Sequence, residues 1–273
     1  MTAPPTTPAA TSPHRRLTVS PSHPTLPISE TFSSLQGEGL LTGVPSFFIR
    51  VSGCNLRCAW CDTPYASWEP DGGTRPIDAL VAEARASGLR HAVLTGGEPM
   101  IFDQLPALAA ALRAAGLHIT IETAGTVFRA PPVPCDLMSI SPKLSSSTPG
   151  VGRLSEPIQE DPRDPTGAWR KRHEQRRLNI PALRQLIEAH PAPTRQLKFV
   201  ITPAVPESDL AEIDALLAQL RPAWTDADIL LMPEGVTTPD PAFRRWLAAE
   251  CLRRNWRYCP RLHIELFGNT RGT

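Results

Sequence analysis

The chain is 273 residues long and carries 28 basic and 27 acidic side chains, a formal net charge of +1. So even a balance offers no broad electrostatic footprint for a nucleic-acid backbone, and no apolar run reaches the length of a bilayer. With no charged-then-apolar leader at the N-terminus, the expectation is a soluble, cytoplasmic protein of one barrel-sized domain or two ordinary ones, with no nucleic-acid and no membrane partner.

Residues 1–27 are Pro, Thr, Ser and Ala with almost no large apolar side chain. They cannot bury enough surface to offset the entropy of ordering and read as a disordered tail. Order is expected from Ile28, with 28–273 as a single domain. The run Ser46, Phe47, Phe48, Ile49, Arg50, Val51 reads as the first strand and delivers the chain into a cysteine loop.

In that loop Cys54, Cys58 and Cys61 follow at C-x3-C-x2-C spacing, with no fourth ligand nearby. Structural zinc is closed by four protein ligands, and a chain this long needs no disulfide staples. A 4Fe-4S cluster held by three thiolates leaves one iron open to a substrate or cosubstrate, so the spacing points to chemistry rather than scaffolding. Cys135, Cys251 and Cys259 are scattered and read as small buried or half-buried thiols.

Beyond the loop, helical and strand periods alternate. Helices are predicted over 77–86, 105–115, 181–189, 208–220 and 241–253, and strands over 91–94, 118–122, 137–141, 196–201 and 229–232. About six βα units imply an α/β chain with a parallel sheet in an open or partial barrel, whose site forms at the C-terminal ends of the strands. Between 145 and 179 the rhythm breaks into an irregular Pro, Gly and Ser-rich insertion ending in a basic run, Arg170 to Arg177. Such a run is more often a solvated helical face than a binding patch, and a lid or a dock for an acidic electron donor stays open.

Thr95-Gly96-Gly97-Glu98-Pro99 follows a predicted strand. Its glycines admit a ligand close to the backbone and Glu98 offers an acceptor for an ammonium group; the plainer alternative is a tight βα turn in which Pro99 starts a helix. The pairing of this turn with C-x3-C-x2-C resembles the radical S-adenosylmethionine (SAM) enzymes. Phe32 to Gly39, Glu122 to Thr126, Ser141-Pro142-Lys143, Leu197 to Val200 and Arg261 to Asn269 are similar to the 7-carboxy-7-deazaguanine synthases of that superfamily, over almost everything from 28 to 272. The tail and the insertion fall outside those motifs, and Ala124 stands where that family more often shows Asn.

The resemblance implies a partial (open) TIM-like (βα)6 barrel and a lyase that converts 6-carboxy-5,6,7,8-tetrahydropterin to 7-carboxy-7-deazaguanine with loss of ammonia, for queuosine-type bases. It places a 4Fe-4S cluster on Cys54, Cys58 and Cys61, and S-adenosylmethionine against Trp60, Cys61, Asp62, Gly97, Glu98, Ser141, Pro142 and Lys143. The pterin would meet Leu35, Gln36, Gly37, Arg50 and Thr95, with Arg50 facing its carboxylate and Thr63 as a Mg2+ ligand. His263, on a strand-like segment, reads as a core histidine or a substrate or proton group; Lys198 and Glu234 stand in the same position. A flavodoxin- or ferredoxin-type electron donor and a homodimer are implied too. The glycyl-radical activating enzymes, which share the cysteine spacing and the Gly-Gly-Glu-Pro turn, are the rival reading; they leave Gln36-Gly37-Glu38 and Ser141-Pro142-Lys143 unexplained.

Overall fold

The computed structural model describes residues 24–150 and 161–273; the tail reading for 1–23 and the centre of the expected insertion, 151–160, lie outside them. The first strand begins at Thr25, ahead of the expected Ile28. Leu26 and Ile28 are both buried in β1 (Thr25–Leu35), which pairs antiparallel with β2 (Pro45–Val51). The strand that feeds the cysteine loop is therefore the second, not the first. β1 was silent in the sequence because its 29–34 stretch is largely polar and only its start carries inward apolar side chains.

After the loop come α1 (Pro64–Ser67) and β3 (Gly73–Pro76), which adds to the outer edge of β1. The chain then alternates: α2 (Ile77–Ala86), β4 (His91–Gly96), α3 (Leu105–Ala114), β5 (His118–Thr123) and β6 (Leu137–Ile140). α4 (Ala168–Arg176) lies within the insertion, and α5 (Ile180–Ala189), β7 (Arg195–Ile201), α6 (Pro206–Leu220), β8 (Ile229–Pro233), α7 (Pro241–Arg254), β9 (Arg257–Tyr258) and α8 (Leu262–Phe267) complete the chain. The nine strands form one sheet in the order β3-β1-β2-β4-β5-β6-β7-β8-β9, parallel from β2 onward. β3 and β9 stay at opposite edges, so this is the partial, open barrel.

The predicted helices form where their caps and apolar spacing dictate. Asn179 accepts the Ala182 amide at 3.2 Å to open α5, whose Leu183, Leu186 and Ile187 face the core. Asp240 accepts the Ala242 and Phe243 amides at 2.7 and 3.2 Å to open α7 ahead of Pro241. Every residue of β7 and β8 is buried, as strands covered on both faces require. No helix among the described residues is long and apolar enough to cross a membrane.

Two further expectations change. His263 lies in α8, not on a strand: Leu262, Ile264 and Leu266 alternate like a strand, but the Leu262 amide bonds to the Gly37 carbonyl at 2.8 Å and the chain turns helical there. The basic run is a helix, yet not a merely solvated one, because His173 in α4 is wholly buried.

Candidate active site

A cavity of about 330 Å³ opens at the C-terminal ends of the strands. The cysteine loop forms one wall. The Gly53 amide donates to the Ala66 carbonyl at 2.9 Å, and the Gly53 carbonyl accepts the Glu98 amide at 3.0 Å. A Cβ on Gly97 would stand 2.1 Å from the Gly53 oxygen, so this contact between the loop and the turn after β4 requires glycine.

Cys54, Cys58 and Cys61 all line the cavity. As a set of three, only Glu38, Asp62 and His263 among the described residues bring ligand atoms all within 4.8 Å of one another. Three thiols without a fourth beside them are the donor set of a cluster that leaves one iron open. Burial, reinforced by the Glu98 carboxylate, pushes the Cys54 thiol up to about 12, and burial raises Cys58 likewise. A metal's positive charge is what turns such thiols into thiolates. Trp60 also lines the cavity, and its indole nitrogen is buried without a hydrogen-bond partner.

From the strand ends, Thr95, Gly97, Ser141 and Lys143 face the same space. The Lys143 ammonium donates to Ser141 Oγ at 2.9 Å and sits 5.6 Å from the centre of the Trp60 ring. Glu98 and Pro142 do not line the cavity. The Glu98 carboxylate is fully buried and takes the Thr123 hydroxyl at 2.7 Å, the Met100 amide at 3.0 Å and the Ala124 amide at 2.7 Å. Oε1 takes two of these donors and Oε2 one, which leaves Oε2 an acceptor position; burial also raises the Glu98 pKa.

The opposite wall is charged. Lys198 Nζ reaches Glu38 at 2.6 Å and Glu122 at 3.1 Å, while Arg261 binds Glu38 at 3.1 Å and also Asp62. Burial opposes charge on both Glu38 and Lys198, but pairing wins: Lys198 and Arg261 hold Glu38 well below the usual carboxylate range, and Glu122 and Glu38 raise Lys198. Burial lowers the His263 pKa, against the pull of Glu38, and raises that of Glu234. A Cβ on Gly37 would meet His263 Nδ1 at 1.9 Å, so the Leu35-Gln36-Gly37 turn and His263 come together only because residue 37 is glycine. Gln36 donates to Ser46 Oγ at 2.9 Å.

Arg50 also lines the cavity. Its Nε donates to Glu30 at 2.7 Å, and its guanidinium lies 5.5 Å from the Phe32 ring centre. Glu30 further accepts the Tyr65 hydroxyl at 3.0 Å and Arg271 at 3.1 Å, and Arg271 stacks 4.1 Å over Tyr65. Thr63 lines the cavity with Oγ1 3.7 Å from Cys61 Sγ. Glu38, Glu122 and Arg261 stand inside the motifs but carry no expected role. Glu122 had a signal of its own, a charge next to Ile121 in β5, as Lys198 is between Leu197 and Phe199 in β7. Glu30, Tyr65 and Arg271 had no such signal.

The radical SAM superfamily model matches residues 48–141. The chain is 47% identical over 253 residues to 7-carboxy-7-deazaguanine synthase of Rhodopirellula baltica, covering 92% of this chain and 90% of that one. It is 44% identical over 252 residues to the enzyme of the same name from Halobacterium salinarum, at 90% and 92% coverage. Among solved structures, QueE from Escherichia coli superposes with a TM-score of 0.56 at 28% identity, covering 86% of this chain and 93% of that one.

Proposed function

Because the chain belongs to the 7-carboxy-7-deazaguanine synthase family of radical SAM enzymes, we propose that this cavity contracts the ring of 6-carboxy-5,6,7,8-tetrahydropterin to 7-carboxy-7-deazaguanine, with loss of ammonia. What carries the proposal is one juxtaposition: a three-thiol loop and a wall of paired carboxylates share a single cavity.

Cys54, Cys58 and Cys61 would hold the 4Fe-4S cluster that the family implies, and S-adenosylmethionine would lie against Trp60, Asp62, Gly97, Ser141 and Lys143. When bound, the pair supplies a 5′-deoxyadenosyl radical that takes a hydrogen atom from the substrate. The chain's own part is positioning and the exclusion of water. A tetrahydropterin presents several ring N–H donors, and Glu38, kept ionised by Lys198 and Arg261, and Glu122, bonded to Lys198, offer the acceptors. Gln36, Gly37 and Thr95 would read its edge. His263, held neutral, has one nitrogen free to accept and one to donate a proton. Arg50 can turn its remaining guanidinium donors on the substrate carboxylate, and Thr63 would offer its hydroxyl to Mg2+, which would neutralise charge on that carboxylate.

A cytoplasmic homodimer served by a flavodoxin- or ferredoxin-type donor, with 28–273 as one domain, completes the reading. The activating-enzyme alternative is not favoured, since relatives spanning nine-tenths of the chain carry the deazaguanine name. Anaerobic turnover of the reconstituted protein with S-adenosylmethionine, reductant, Mg2+ and the pterin, followed by mass spectrometry, tests it. Deazaguanine that disappears in Cys58→Ala is expected; 5′-deoxyadenosine without deazaguanine would sink the substrate assignment.

A further inference from the structure

The insertion does not hang free of the cysteine loop; it is bonded to it at Asn55, Arg57 and Ala59. Asp164, itself buried, accepts the Trp169 amide at 3.1 Å and the Arg170 amide at 2.8 Å, which fixes the start of α4. The helix then turns His173 inward, where no part of it is exposed.

His173 Nδ1 accepts the Arg57 amide at 3.2 Å, so Nε2 carries the proton and donates to Ser147 Oγ at 2.9 Å; that hydroxyl passes its own proton to the Leu144 carbonyl at 2.6 Å. The Ser147 carbonyl accepts the Ala59 amide at 2.8 Å. Both amides that flank Cys58 are therefore held by the two ends of the insertion. The loop's carbonyls are held as well: Arg163 donates to Ala59 at 3.0 Å and Arg176 to Asn55 at 3.4 Å. Arg57 reaches Cys54 and Leu56 at 2.8 and 2.7 Å, with its guanidinium stacked 3.9 Å from the Trp169 ring centre.

We infer that the insertion is a clamp on the cysteine loop, with His173 as the positioning residue that fixes Cys58 for the cluster. An uncapped loop of this length samples many conformations, and three sulfurs must meet three irons at once. The clamp removes that freedom before metal arrives. It also diverts the Arg57 and Ala59 amides away from sulfur, and hydrogen bonds to cluster sulfurs are among the groups that set the reduction potential. This rests on the cluster half of the proposed function and not on the pterin.

The test compares wild type, His173→Leu and His173→Asn, each reconstituted with iron and sulfide. Leu keeps bulk and loses both bonds; Asn can accept the Arg57 amide and donate to Ser147. His173→Leu is expected to lose iron to a chelator about tenfold faster, to shift the cluster's reduction potential, and to exchange amide hydrogens over 54–61 faster in the cluster-free protein. His173→Asn is expected to restore all three. Wild-type iron retention and potential in His173→Leu would overturn the clamp, as would an Asn variant no better than Leu. Should the Leu variant not fold, Trp169→Leu strips the face from Arg57 and is expected to speed iron loss at an unchanged melting temperature; wild-type retention there overturns the clamp equally. A wild-type protein that takes up no cluster sinks the family reading and the clamp together, whereas a loaded wild type with indifferent variants sinks the clamp alone.

Discussion

The two walls of the cavity are rigid for opposite reasons. The cysteine loop is fixed by neutral hydrogen bonds and a stacked guanidinium, with His173, Ser147 and Trp169 supplying the partners. The facing wall is fixed by charge, with Lys198 and Arg261 threaded between Glu38, Glu122 and Asp62. The first wall buries its thiols in a loop whose backbone is tied down from outside. The second keeps the Glu38 carboxylate ionised by burying Lys198 and Arg261 beside it.

The comparison breaks most visibly at Lys198. Lys198→Met removes the buried cation that Glu38 and Glu122 share, with Glu38 keeping Arg261, and urea unfolding of the cluster-free protein should show a loss of about 4 kcal/mol. A loss under about 1 kcal/mol would mean that the wall does not depend on that charge.

Acid should separate the two walls next. Burial lowers the His173 pKa to about 4. In the unfolded chain His takes up its proton near pH 6.5, so His173 contributes stability that is intact above pH 6.5 and is lost as pH falls toward 4. The share lost by pH 4 reaches roughly 3 kcal/mol, and His173→Asn should flatten that part of the stability-against-pH curve. Parallel curves for the two proteins would contradict it.

Gly37→Ala sharpens the contrast from the charged side. The new methyl displaces His263 without touching the cysteine loop, so about 2 kcal/mol of stability and most turnover should go while the iron content stays at the wild-type level. Loss of iron with turnover would show the walls to be coupled. Smallest is Arg113→Ala, at a surface pair remote from both walls, where thermal unfolding should register no more than about 0.5 kcal/mol.

Much of this was legible beforehand in particular residues. The helices opened by Asn179 and Asp240, and the continuous apolar run of β8, follow from capping and burial and needed no tertiary information. The cysteine spacing and the turn at 95–99 marked the site because metal ligation and close backbone approach restrict residue type locally. β1 stayed hidden because its partner strands, not its own pattern, make it a strand, and His263 was misplaced because a period of two over six residues is ambiguous. That Glu98 also ties Thr123 and Ala124 to its own turn was not legible, because those donors arrive from a segment 25 positions away.

By itself the sequence determined the alternation of helices and strands, the open barrel it builds and the cluster-binding loop, since each is written in neighbours a few positions apart. Only the tertiary structure decided which charges meet. Lys198 joins Glu38 across 160 positions, Arg261 joins Asp62 across 199, and His173 reaches Arg57 across 116. Such contacts depend on where the sheet and the insertion bring distant segments, and no local propensity carries that distance.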